Sequence, residues 1–199
     1  MQNQIFNMIK FLHLVEELKC VFRSNKTSIH RQESSAEHSW KLAIMALIAA
    51  PYLDKKIDVN RAIKMALIHD IVEIITGDIS IRTLYSDKLV KEQKKENEEK
   101  AIQEIIKDLD INNRNLLYDL WNEFEKNETY EAQFINALDK LEAQLQQNKI
   151  RDIKTLQDLE KNNILKELES FFKFDSFIEN FKDEIFQEAL TIRKEKNEN

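Results

Sequence analysis

Apolar residues recur every three or four positions through Ile5, Met8, Ile9, Leu12, Val15 and Leu18, a spacing that predicts a first helix with one apolar face. Over residues 22–32 that period is lost and Arg, Lys, Ser and Thr accumulate, so a basic loop is expected. Ser34 with Glu37 three positions on has capping-box spacing and opens a second helix through Trp40, Leu42, Ala43, Ala46 and Leu47, which stops before Pro51. A third helix is expected to start near Asp58 or Asn60, carry Ala62, Ile63, Ala66, Leu67, Ile71 and Ile74, and end at Gly77. Residues 87–100 are nearly all Lys, Glu, Gln and Asn and read as a solvated helix that merges with an amphipathic stretch through Ala101, Ile102, Ile105, Ile106 and Leu109. Further helices are expected over residues 114–124 and 130–147, the second with the stripe Phe134, Leu138, Leu141 and Leu145. Two or three amphipathic segments follow Lys149, the last opened by Ser176 with Glu179 in capping-box spacing and carrying Phe177, Phe181, Ile185 and Leu190.

Composition narrows the class. A chain with one Gly and one Pro in 199 residues lacks the residues that tight sheet turns need, so an all-α bundle is expected. The length suits one domain over residues 1–199, and no repeat or linker divides it. A net charge of −6 argues against nucleic-acid wrapping and against an anionic membrane surface, which leaves a small ligand as the expected partner. Cys20 stands alone, the N-terminus lacks the order of a secretory signal, and no stretch reaches about 18 apolar residues. A cytoplasmic location is expected.

The candidate chemistry interrupts the apolar pattern. His69, Asp70 and Glu73 lie in the run Ala66-Leu67-Ile68-His69-Asp70-Ile71-Val72-Glu73-Ile74-Ile75, where burial demands a partner for each. On a continuous helix, residues three and four apart share a sector of the surface. His38 stands in the first turn of the second helix, and Asp139 beside the core stripe of its own. Two imidazoles and two carboxylates from three helices can converge inside a bundle on a borderline divalent ion such as Mn, Co, Fe, Ni or Zn. Such an ion acidifies its water and polarises a phosphoryl oxygen. No GxxxxGK[ST] string is present to suggest a P-loop enzyme. Taken singly, each of these residues is more often an ordinary half-buried or ion-paired side chain; their joint occurrence carries the weight.

In this order, His38, His69-Asp70 and Asp139 resemble the H…HD…D pattern of the HD-domain phosphohydrolases. Four local strings are similar to the 5'-deoxynucleotidase branch that includes HD domain-containing protein 2: Glu33-Ser34-Ser35-Ala36-Glu37-His38-Ser39-Trp40, Met65-Ala66-Leu67-Ile68-His69-Asp70-Ile71-Val72-Glu73, Thr76-Gly77-Asp78-Ile79 and Ala137-Leu138-Asp139-Lys140-Leu141-Glu142. The likeness covers roughly residues 5–150. It implies an all-helical HD-domain bundle, often a homodimer, that hydrolyses deoxynucleoside 5'-monophosphates with one divalent metal ion held by His38, His69, Asp70 and Asp139. Glu73 and Asp78 match the acidic positions near the reacting centre, Arg23 the arginine that holds the substrate phosphate, and Glu33 recurs in the family string as a substrate-side or loop-bracing residue. Glu73 is open to two roles, proton handling or bracing His69. Asp78 is equally readable as a cap of the next segment. Lys26 and Arg31 are further candidates to face the phosphate.

Two positions depart from the family pattern. Ser24 stands where the bacterial nucleotidases have a tryptophan that shapes the sugar pocket, and Ile81 where a proline is common. A triphosphate or an alarmone is the alternative substrate, although Ile74 occupies the place of the second acid in the alarmone hydrolases' HDxxED string. A non-enzymatic metal-binding helical protein is the alternative of a different kind.

Overall fold

The structure, a computed structural model, describes residues 1–86 and 88–198, without the side chains of residues 82, 86 and 88. Asp87, which opens the charged run, and Asn199 lie outside the described residues. The chain runs α1 (Gln2–Glu16), β1 (Phe22–Lys26), β2 (Gln32–Ser34), α2 (Ser35–Ala49), α3 (Val59–Ile68), α4 (Glu73–Thr76), α5 (Ile81–Ser86), α6 (Lys88–Ile106), α7 (Ile111–Lys126), α8 (Tyr130–Lys149), α9 (Ile153–Lys161), α10 (Ile164–Leu168) and α11 (Ser176–Asn197). The expected all-α class holds, with one antiparallel hairpin, β1 with β2, as the only sheet among the described residues.

That hairpin replaces the basic loop expected over residues 22–32. Arg23 and Asn25 turn inward while Phe22, Ser24 and Lys26 face outward. A period of two written in polar residues is invisible to a search for apolar alternation. The chain reverses where Thr27 N–H bonds Arg31 O at 2.8 Å and His30 adopts φ 62°.

Helix starts are set by side-chain acceptors. Ser34 and Glu37 form the expected capping box, and Asp58, Asp110 and Thr129 cap α3, α7 and α8. At α11 the cap is Asp175, one residue before the expected Ser176; its carboxylate accepts from Phe177 N at 2.9 Å and Ile178 N at 3.1 Å. An ionised carboxylate is the stronger acceptor and sits better at the positive helix end than a hydroxyl.

The third helix does not run unbroken to Gly77. α3 ends at Ile68, and the amides of Ile71, Glu73, Ile74 and Ile75 then bond to carbonyls three residues back, at 3.0–3.4 Å. This tightened turn makes residues three apart eclipse one another. It stacks Glu73 over Asp70 before Gly77, at φ 72°, ends α4.

α8 runs through the centre. Phe134, Ile135, Ala137, Leu138 and Leu141 are fully buried, against Leu42 and Ala46 of α2, Met65 and Ala66 of α3, Leu120 of α7 and Ile178 of α11. A second cluster joins Ile71 and Val72 to Ala101, Ile102, Ile105 and Ile106 of α6 and Trp121 of α7. The charged run is thus less solvated than expected: its Glu98 is buried. The expected apolar faces of the first two helices are partly exposed. α1 contains no buried residue, and Trp40 and Leu47 of α2 face solvent.

Removing side-chain volume from the central helix should cost most. Leu138→Ala is expected to lower unfolding free energy by about 2–5 kcal/mol, whereas Leu116→Ala, on the exposed side of α7, should change it by less than about 0.5 kcal/mol. Urea titrations with matched slopes provide the check.

Candidate active site

His38 enters from the first turn of α2 and is fully buried. Its Nδ1 lies 2.5 Å from Oε2 of Glu142, one turn beyond Asp139 on α8, and Lys41 Nζ holds the other Glu142 oxygen at 2.8 Å. A carboxylate with an ion-paired partner only accepts, so Nδ1 donates and Nε2 is left to face Asp139 Oδ1 at 3.0 Å and Asp70 Oδ2 at 3.9 Å. His69 repeats the arrangement by a local route. Its Nδ1 donates to Ala66 O at 2.8 Å, which leaves a lone pair on Nε2. That buried nitrogen has no hydrogen-bond partner, although Asp70 Oδ1 lies 3.1 Å away.

Two imidazole lone pairs therefore point at carboxylate oxygens, which can only accept. A buried nitrogen left this way costs about 1–3 kcal/mol unless a cation or proton lies between. The ligand atoms of His38, His69 and Asp139 all fall within 4.8 Å of one another, with Asp70 alongside. This donor set fits a divalent metal ion. Burial alone would discharge His38, but Asp139 and Glu142 outweigh it and push its pKa up to about 10, so the cluster binds positive charge even as a proton. Burial works against ionisation of Asp139 and Asp70, and neighbouring Lys140, Arg23 and the two histidines nevertheless hold both well below the usual carboxylate range.

Arg23 reaches in from β1, with Nη1 3.0 Å from Asp70 Oδ2. It remains charged despite burial because Asp70, Asp139, Glu73 and Asp78 surround it. Glu33 on β2 stands behind it, 4.0 Å from Nε, and does not line the pocket. Burial, then the nearby Glu142, pushes its pKa up to about 7. Glu73 accepts from Ser35 Oγ at 2.5 Å, and burial first, then Asp70, raise its pKa. Asp78, half-buried past Gly77, is raised in the same way.

Arg23, His69, Asp70, Glu73, Asp78 and Asp139 line one pocket of about 510 Å³. Sequence reasoning placed these residues together and missed other contributors. Glu142 falls three positions after Asp139, a helical neighbour that spacing alone points to. Lys94 and Glu98, paired at 2.5 Å on α6, also line the pocket, as do Leu165, Leu168, Phe171 and Phe172 near the C-terminal end. Nothing in a charged run or an apolar helix marks them out. Lys26 and Arg31 are absent from the wall; Arg31 is instead bonded to Glu37.

A family model described as HD domain matches residues 15–183. The chain belongs to the HD domain family. Human 5'-deoxynucleotidase HDDC2 is 34% identical to it over 149 residues, covering 74% of this chain and 70% of the relative. The HDDC2 5'-deoxynucleotidase of Dictyostelium discoideum is 33% identical over 151 residues, 70% of this chain and 75% of the relative. The crystal structure of a predicted metal-dependent phosphohydrolase from Magnetospirillum magnetotacticum aligns with a TM-score of 0.69 at 27% identity, covering 94% of this chain and 97% of that one. The span matching the HD domain takes in α9, α10 and the start of α11, beyond residue 150 where the likeness read from the sequence ends.

Metal removal tests the centre directly. An ion at 100 times its dissociation constant should stabilise the HD domain by about 2.7 kcal/mol, and Asp139→Ala should abolish the response. Melting of chelator-treated protein, with and without added Mn or Zn, measures it.

Proposed function

We propose that this HD domain is a metal-dependent phosphomonoesterase that releases phosphate from deoxynucleoside 5'-monophosphates, the activity that the names of its human and D. discoideum relatives give to those proteins. The observation that carries the reading is the pair of buried imidazole lone pairs facing Asp139 and Asp70 beside Arg23. His38, His69, Asp70 and Asp139 would hold one divalent ion, and the mixed nitrogen and oxygen set suits Mn, Co, Fe, Ni or Zn. When bound, that ion supplies an acidified water and positive charge toward phosphoryl oxygens.

The chain's own groups complete the centre. Arg23 uses Nη1 on Asp70, and Nη2, without a hydrogen-bond partner among the described residues, is free to take a phosphoryl oxygen. Glu73, raised in pKa and held by Ser35, is placed to give its proton to the leaving 5'-oxygen and to recover one from the attacking water, with Asp78, also lining the pocket, as the other acid in reach. The wall carries the carboxylates of Asp70, Glu73, Asp78, Glu98, Glu125 and Asp139 against the cations Arg23, Lys91, Lys94, Lys95 and Lys140, with Lys94 and Lys140 already paired to Glu98 and Asp139. That balance fits one phosphate better than three. A cytoplasmic location goes with such a substrate.

A homodimer is part of the proposal. Ile5, Met8, Ile9 and Leu12 of α1 and Trp40, Ile44, Leu47 and Ile48 of α2 are exposed, apolar helix faces that a second copy would cover.

Phosphate release from deoxy- and ribonucleoside 5'-monophosphates, 3'-monophosphates and triphosphates tests the activity. Metal-loaded protein should favour deoxynucleoside 5'-monophosphates. Asp139→Ala should remove release altogether, and Arg23→Ala should raise KM by about tenfold or more. Loaded protein that hydrolyses none of them overturns the reading. In sedimentation, the parent should run as a dimer and Leu47→Glu as a monomer.

A further inference from the structure

The pocket has an end that the phosphate chemistry does not use. Leu165, Leu168, Phe171 and Phe172 line the pocket together with Tyr85 of α5, and the amide side chains of Gln144 and Gln147 of α8 line it as well. Gln144 is 4% exposed. It lies about 7.5 Å along the helix axis from Asp139, a separation that one sugar ring can bridge.

The orientation of its amide is fixed by a relay. Asn148 Nδ2 donates to Ile185 O at 2.9 Å and to Glu188 Oε2 at 2.8 Å, both on α11. A backbone carbonyl and a carboxylate only accept, so the nitrogen of Asn148 must face α11 and its oxygen must face α8. That oxygen accepts from Gln144 Nε2 at 2.8 Å. Gln144 Oε1 is what remains, and it takes no hydrogen bond from any described residue. The nearby Asn25 contrasts with it, since its amide spends both ends, on Ala143 O and on Gln147 Nε2, whereas Gln147 Oε1 is a second acceptor on the pocket wall without a partner among the described residues.

Resting on the nucleotidase reading, we propose that Gln144 is the specificity-determining residue for the nucleobase, and that its fixed acceptor selects bases that present an amino group, adenine and cytosine, over their oxo counterparts, hypoxanthine and uracil. An apolar chamber takes the face of any base, while a single oriented acceptor tells an N–H edge from a C=O edge. A carbonyl opposite Oε1 sets two lone pairs against each other and leaves the amide unpaired in a dry site, which is the arrangement that discriminates most strongly.

The test compares dAMP with dIMP and dCMP with dUMP on the metal-loaded protein. The amino nucleotide of each pair should be favoured by about tenfold or more in kcat/KM, carried by KM. Gln144→Met, which keeps length and loses the acceptor, should bring both ratios to within about threefold. Equal or reversed preference in the parent overturns the proposal, and that comparison needs no variant; so does a preference that survives in folded Gln144→Met. Calorimetry of deoxyadenosine and deoxyinosine on the same protein reads the same preference without turnover. If no monophosphate is hydrolysed, the nucleotidase reading fails by itself, and tighter deoxyadenosine or its absence still decides the role of Gln144.

Discussion

The bond from His38 to Glu142 is the constraint on which the centre depends. A neutral imidazole has one donor and one acceptor, so committing Nδ1 to a fully buried carboxylate commits Nε2 to the other side of the ring. Because His38 belongs to α2 and Glu142 to α8, the chemistry is set by how those two helices pack. Small residues make the approach possible: Ala43 and Ala46 of α2 and Ala137 of α8 are buried in the shared core. Lys41 closes the arrangement by pairing with the second Glu142 oxygen, so the carboxylate is not left as an uncompensated buried charge. His69 reaches the same electronic state through the carbonyl of Ala66 in its own turn. One histidine depends on tertiary packing and the other on local backbone geometry.

Much of this was legible in the chain, for a physical reason. Apolar run, polar interruption and cap together specify which residues must be buried and which burials require a partner. His69, Asp70 and Glu73 stood out because the surrounding apolar run declared their positions interior, whereas His38 and Asp139 gained weight only together with them and through the H…HD…D order. The helix containing Asp139 was likewise readable from Phe134, Leu138 and Leu141. What failed was whatever depends on more than periodicity. The β1–β2 hairpin alternates polar residues, so Arg23 gave no strand signal. The tightening after Ile68 changes side-chain directions without changing the apolar pattern, because Ile71 and Val72 remain buried either way.

Other misreadings came from treating charge as a sign of solvent. Glu98 sits in a run of Lys and Glu that reads as exposed, yet it is buried because Lys94, one turn earlier, neutralises it as both line the pocket. The converse holds at α1 and α2, where Ile9, Leu12, Trp40 and Ile48 have the period of a core face and lie in solvent. Amphipathic spacing states that a face wants cover. It does not say whether the cover comes from the same chain.

The crowding of acids explains why this arrangement favours a cation. Asp70, Glu73, Asp78 and Asp139 surround Arg23, and burial combined with mutual repulsion raises Glu73 and Asp78 while the cations nearest Asp70 and Asp139 keep those two ionised. The site thus divides four carboxylates into two that stay charged beside the imidazole lone pairs and two that hold protons more readily. That division matches the requirements of phosphate ester cleavage, which needs fixed negative ligands for a metal and a separate group that can give a proton to the leaving oxygen. The same α8 that carries Asp139 continues to Gln144, so one rigid helix sets both the phosphate end and the far end of the pocket. Helix rise sets the axial part of their separation at about 7.5 Å, and the helix turn sets the rest.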